Sequence, residues 1–100
     1  MAEYCISRLT AIGSKRQVHQ FRLGQWEQSL KAKYGEPLEW PSGRFVCQFE
    51  TSSPPLEQLK ALSRLWPKIT LLLDYEVEEK RIKGLAKAKD GTMESHQVSY

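Results

Sequence analysis

At 100 residues the chain has the size of one domain, so residues 1–100 are expected to share a single core. Its 40% hydrophobic and 27% charged content is that of a globular protein and excludes a disordered one. A net charge of +3 is wrong for an acidic mimic of DNA and well short of a dense basic arm, and no apolar run approaches the roughly 18 residues that span a bilayer.

Residues 4–12, YCISRLTAI, read as a first strand. Tyr4, Ile6 and Ile12 fall on one side and Cys5, Leu9 and Ala11 on the other, as in a central strand with apolar contacts on both faces. The same N-terminus lacks the apolar stretch of a signal peptide, so the expected location is the cytoplasm. Gly13 and Ser14 end the strand, and Ser14 with Gln17 has capping-box spacing for a helix from Lys15. Val18, Phe21 and Leu23 form its apolar stripe, and Trp26, Leu30 and Tyr34 continue at helical spacing. Gly24 makes residues 15–34 either one long helix with a weak point or two short ones. Residues 35–43, GEPLEWPSG, read as a loop, and Trp26, Tyr34 and Trp40 are either core residues or interface anchors.

Phe45, Cys47 and Phe49 alternate with Gln48 and Glu50, the period of a half-buried strand. Ser53 before Pro54-Pro55 is a helix start whose hydroxyl can take an orphan backbone N–H. Leu56, Leu59, Leu62 and Trp66 then share a helix face, Glu57, Lys60 and Arg64 point away, and Pro67 stops the helix. Ile69, Leu71, Leu73, Tyr75 and Val77 alternate with Thr70, Asp74 and Glu76 in a third strand, with Leu72 an apolar residue on the other face. After a polar turn at Glu78-Glu79-Lys80, small residues (Ile82, Gly84, Ala86, Ala88) alternate with Arg81, Lys83, Leu85, Lys87 and Lys89 in a fourth. Asp90-Gly91 is a type I′ hairpin signal, after which TMESHQVSY either returns as a short fifth strand or frays.

Phe49-Glu50-Thr51, Ser53-Pro54-Pro55, Trp66-Pro67 and Tyr75-Glu76 carry a family resemblance. Over residues 43–90, with a weaker echo at 4–23, the chain resembles the ferredoxin-like domain of YubB-like proteins, plasmid- and phage-borne proteins of unknown function. The resemblance implies an α+β, ferredoxin-like split βαβ fold, β-α-β-β-α-β, with an antiparallel four-stranded sheet, two helices on one face and an optional extra C-terminal strand. In that topology strands one and three are central, which sets Cys5 and Cys47 on strands that are not neighbours. Two cysteines that fit no zinc spacing are expected to be reduced and buried.

No catalytic, cofactor-binding or metal-binding residue stands out. His19 and His96 have no carboxylate or cysteine at triad or metal spacing, and there is no glycine-rich phosphate loop. Residues 16–22, RQVHQFR, are similar in outline to the phosphate loop of acylphosphatases, but the glycines that let its amides converge are missing and the chain contains no asparagine to orient water. The expectation is a protein that is not an enzyme and takes no cofactor.

Binding is the remaining class. Arg81, Lys83, Lys87 and Lys89 make a basic strip, joined across the sheet by Arg8 and Arg44. Leu72, Leu85, Ile6 and Val46 are expected on the same open face, an apolar centre with a charged rim. The first reading is therefore a protein-binding module, and the resemblance implies a host protein or protein complex as its partner. The resemblance adds a mobile genetic element as its source and an accessory or counter-defence role. The alternative is weak nucleic-acid binding through the basic strand 81–89, without the aromatic pattern of RNA-recognition sheets. Such a strip also serves as a charged edge that blocks strand association. A sheet of this kind can self-associate by its faces or by its edges.

Overall fold

The computed structural model describes residues 4–39 and 44–100, and the side chains of all of these except Tyr34 and residues 36–39. In chain order the elements are β1 (Cys5–Ile12), α1 (Lys15–Leu23), α2 (Trp26–Leu30), β2 (Lys33–Glu39), β3 (Arg44–Thr51), α3 (Leu56–Leu65), β4 (Thr70–Val77), β5 (Ile82–Lys89) and β6 (Thr92–Ser99). Among the described residues the strands form one antiparallel sheet in the order β2-β3-β1-β4-β5-β6. The architecture is α+β, with six strands where four, or five with a C-terminal addition, were expected. Among the described residues no helix is long and apolar enough to cross a membrane.

The first extra strand is β2, which takes the last two residues, 33 and 34, of the segment read as helical and the start of the one read as a loop. Its Gly35 and Pro37 carry the loop signal, but proline is tolerated on a sheet edge, where its missing N–H faces away from the ladder. β2 is such an edge, and its pairing with β3 shifts register twice, between Lys33 and Glu36 and between Pro37 and Glu39. The second is β6, which pairs with β5 along its whole length. Asp90 (φ 49°) and Gly91 (φ 81°) form the turn between them, both in the left-handed region that a type I′ hairpin requires.

Strand alternation sorts the side chains. Cys5, Leu9 and Ala11 of β1, Phe45, Cys47 and Phe49 of β3, and Leu71, Leu73, Tyr75 and Val77 of β4 are all buried on one face. Val18 and Phe21 of α1, Trp26 and Leu30 of α2, Leu59 and Leu62 of α3, Ile69, and Ala86 and Ala88 of β5 complete the core. Gly24 resolves the helical segment into two short helices, its N–H donating to the Phe21 carbonyl at 3.0 Å. Trp26 is core, 4% exposed, with its ring 5.9 Å from that of Phe45 and 5.8 Å from that of Phe49. The expectations for Trp40 and for the Tyr34 side chain lie outside what is described.

Helix starts are met once and missed once. Ser14 Oγ accepts the Gln17 N–H at 3.2 Å, as the capping-box spacing predicts. Ser53 is not a cap: α3 begins at Leu56 after Pro55, which has no side-chain cap, while the Ser53 carbonyl accepts a hydrogen bond from Thr51 Oγ1 at 2.6 Å. The Pro-Pro step displaces the start beyond reach of the serine hydroxyl.

The cysteines need a correction of another kind. β1 and β3 are neighbours, so Cys5 and Cys47 do lie on adjacent strands. Cys5 faces Thr51 and Cys47 faces Leu9, an offset along the ladder that keeps them apart. Both are free and buried.

Candidate partner-binding face of the sheet

The helices cover one sheet face, and the alternate residues of each strand make the other. Register fixes the neighbours on this open face. Arg8 of β1 faces Asp74 of β4, Asp74 faces Leu85 of β5, and Leu85 faces His96 of β6. One row along, Thr10 faces Leu72, Leu72 faces Lys87, and Lys87 faces Glu94. Directly opposed residues have Cβ atoms about 4.5–5.5 Å apart, and diagonal ones about 7–8 Å. Leu72 and Leu85 are diagonal neighbours in this lattice.

These two rows surround a shallow concavity of about 380 Å³. Leu72 and Leu85 supply apolar lining, and Arg8, Asp74, Lys87, Glu94 and His96 the polar lining. Leu85 is 61% exposed at the middle of a strand, and Val98, opposite Lys83 on the same face, is 63% exposed. A second depression, of about 230 Å³, lies along the next row between Arg8, Asp74, Glu76 and Lys83.

The expected binding residues are therefore only partly brought together. Arg8, Leu72, Leu85 and Lys87 line the concavity, and Lys83 lines the depression beside it. Lys89 ends β5 opposite Thr92, and Arg44 begins β3 opposite Ile12. Arg81 lies off the strand, in a left-handed conformation (φ 52°) after a short 3₁₀ turn, with its carbonyl accepting the Tyr100 N–H at 2.9 Å. Of the other apolar residues expected on this face, Ile6 is 36% exposed and Val46 only 8%, so Val46 adds little surface.

Three carboxylates were not in the expected set. Asp74 stands opposite Arg8, Glu76 opposite Lys83, and Glu94 opposite Lys87. The basic strip is thus interleaved with acid. Alternation does assign Asp74 and Glu76 to this face, but their partners depend on register, which no single strand reveals. Tyr100 adds to the second depression's edge: its phenol donates to Glu76 Oε2, and Lys83 Nζ sits 5.6 Å from its ring centroid. The Glu76 bond holds the Tyr100 hydroxyl in its neutral form and raises its pKa.

The buried thiols have no nucleophilic character. Burial pushes Cys47 up to about 12, with a smaller push from the Glu27 carboxylate. Burial likewise raises Cys5, against weaker opposing hydrogen bonds from Ser7 and Thr51. Both stay protonated at neutral pH, and thiols react as thiolates. Among the described residues no three His, Cys, Asp or Glu side chains group so as to hold a metal. Comparison with protein-family models, with curated proteins and with solved structures gives no match.

Proposed function

We propose that this protein is a non-enzymatic binding module that takes a protein partner on its open sheet face, at the concavity around Leu72 and Leu85. The observation that carries the reading is Leu85, a 61% exposed leucine on a regular strand, beside Leu72 and within a rim of both charge signs. An apolar centre with a polar rim is the anatomy of a protein interface. A phosphate backbone calls for uncompensated cations, and here Lys83 and Lys87 each face a carboxylate. The nucleic-acid alternative is therefore the weaker of the two.

The β1-α1-β2-β3-α3-β4 order, with β2-β3-β1-β4 adjacent in the sheet, supports reading the first part of the chain as ferredoxin-like, with the β5–β6 hairpin added beside β4. The resemblance to YubB-like proteins, carried by Phe49-Glu50-Thr51, Ser53-Pro54-Pro55, Trp66-Pro67 and Tyr75-Glu76, supports a mobile-element origin. On that reading the protein works in the cytoplasm as an accessory or counter-defence factor, and its partner is a host protein or complex.

The test compares tagged wild-type protein with Leu85→Glu in pull-downs from nuclease-treated bacterial lysate. A protein retained stoichiometrically by the wild type and lost with Leu85→Glu is the expected result. A set of proteins retained equally by both forms would rule out this face.

A further inference from the structure

The sheet has two edges, and they differ. β2 carries Pro37 and two register shifts, features that keep an edge from pairing with another strand. β6 has none of these. Thr92–Ser99 is eight residues long, pairs with β5 without a bulge, and contains no proline and no lysine. All of its residues but Met93 are exposed, which leaves a straight, open row of backbone donors and acceptors.

Which groups are open follows from the ladder. The Tyr100 N–H donates to the Arg81 carbonyl, and hydrogen-bonded positions alternate in an antiparallel pair. The even-numbered residues of β6 therefore point their N–H and C=O at β5. Met93, Ser95, Gln97 and Ser99 point theirs outward.

We infer that β6 pairs antiparallel with β6 of a second copy of this chain, about a two-fold axis at Ser95, joining two sheets edge to edge. The choice of a second copy rests on self-complementarity. With Ser95 opposite Ser95, Met93 faces Gln97 and Glu94 faces His96 of the other copy, twice over by symmetry. Odd-numbered residues then form the hydrogen-bonded pairs, as their outward groups require. The Glu94–His96 pairs fall at the non-hydrogen-bonded positions, where side chains come closest. The imidazole serves the carboxylate as a cation or as a neutral N–H donor. Sliding by one residue pair in one direction opposes the two Glu94 carboxylates, and in the other it opposes the two His96 rings. Only the Ser95-centred register is complementary in charge.

Glu94 and His96 also line the concavity on the open face. Pairing through β6 therefore sets the two concavities side by side on one surface, each with β6 of the second copy along its outer side. The inference does not depend on what the concavity binds.

Sedimentation equilibrium of the full chain tests it. The expected wild-type species at high concentration has twice the 11.6 kDa chain mass. His96→Glu opposes Glu94 with another carboxylate at both pairs and is expected to weaken the dimer by about tenfold. His96→Lys keeps the opposite charges and the dimer. Ser95→Pro removes an outward N–H, takes no ladder bond from the monomer, and is expected to abolish association; circular dichroism checks that it folds. The register is tested by oxidation of Ser95→Cys, expected to cross-link between copies far faster than Thr92→Cys. A monomeric wild type would overturn the inference. So would a dimer indifferent to both His96→Glu and Ser95→Pro, or equal cross-linking from positions 92 and 95.

Discussion

The Tyr75 ring lies across Gly84, on the strand next to it. A Cβ at Gly84 would sit 2.0 Å from Tyr75 Cζ and 2.2 Å from its hydroxyl oxygen. The hydroxyl passes over this gap and donates to Gln97 Oε1 at 3.0 Å, so one side chain of β4 bridges β5 and reaches β6. The bare glycine is what allows the bridge.

Gly84→Ala is therefore expected to destabilise the fold by about 2–3 kcal/mol, the upper range for overpacking a core. Tyr75→Phe, which loses only the hydroxyl bond, is expected to cost about 1 kcal/mol. In Gly84→Ala/Tyr75→Ala the alanine at position 84 meets no ring, so the double variant should lose less than the sum of the singles. Denaturant midpoints of wild type, Gly84→Ala, Tyr75→Ala and the double variant measure this directly, with Tyr75→Phe measured beside them.

The hairpin is also fastened from its turn. The fully buried Ser63 of α3 donates to the Lys60 carbonyl at 2.7 Å and accepts the Gly91 N–H at 2.9 Å. Ser63→Ala leaves that N–H without its acceptor, for an expected loss of about 1 kcal/mol. Hydrogen exchange at Gly91 should quicken, and it should do so more than at the β1–β3 ladder.

Cys47 gives a pH dependence of known sign. The folded chain holds this thiol protonated to about 12, whereas an unfolded one ionises near 9.0. Below pH 9 the group leaves stability unchanged; above it the unfolded state sheds a proton that the fold retains, and stability falls as pH climbs towards 12. Thermal melts across this interval should show a steeper fall for wild type than for Cys47→Ala. The native protein should also resist thiol reagents at pH 8 until it is denatured.

Nucleic acid offers a further check. With Glu76 and Glu94 facing Lys83 and Lys87, labelled single-stranded DNA and RNA are expected to show no retention at physiological salt. Tight binding with a steep salt dependence, lost on Lys83→Glu/Lys87→Glu, would instead return function to the basic strip.

How much of this was legible in the sequence follows from the range of each signal. Alternation in Phe45–Glu50, Ile69–Val77 and Ile82–Lys89 marked three strands and their inner faces, because burial on one side has a period of two, whereas YCISRLTAI, apolar on both sides, marked a strand without its inner face. The Asp90-Gly91 pair marked its turn because few residues accept positive φ. β2 was hidden because an edge strand tolerates Gly35 and Pro37, the residues that otherwise signal a loop. β6 was left undecided because a strand exposed on both faces has no apolar alternation to display. The site suffered most. Leu72, Leu85, Arg8 and Lys87 were found by facing, but Asp74, Glu76 and Glu94 become neighbours of the cations only through register between strands distant in sequence.

The most direct measurement is photo-crosslinking from single benzoylphenylalanine substitutions at two exposed leucines. Leu85 lies on the open sheet face and is 61% exposed; Leu65 lies at the end of α3 and is 70% exposed. A nuclease-resistant protein adduct from position 85, absent from position 65, is the expected outcome. An adduct from position 65 alone, or one from position 85 that nuclease destroys, would contradict a protein-binding open face.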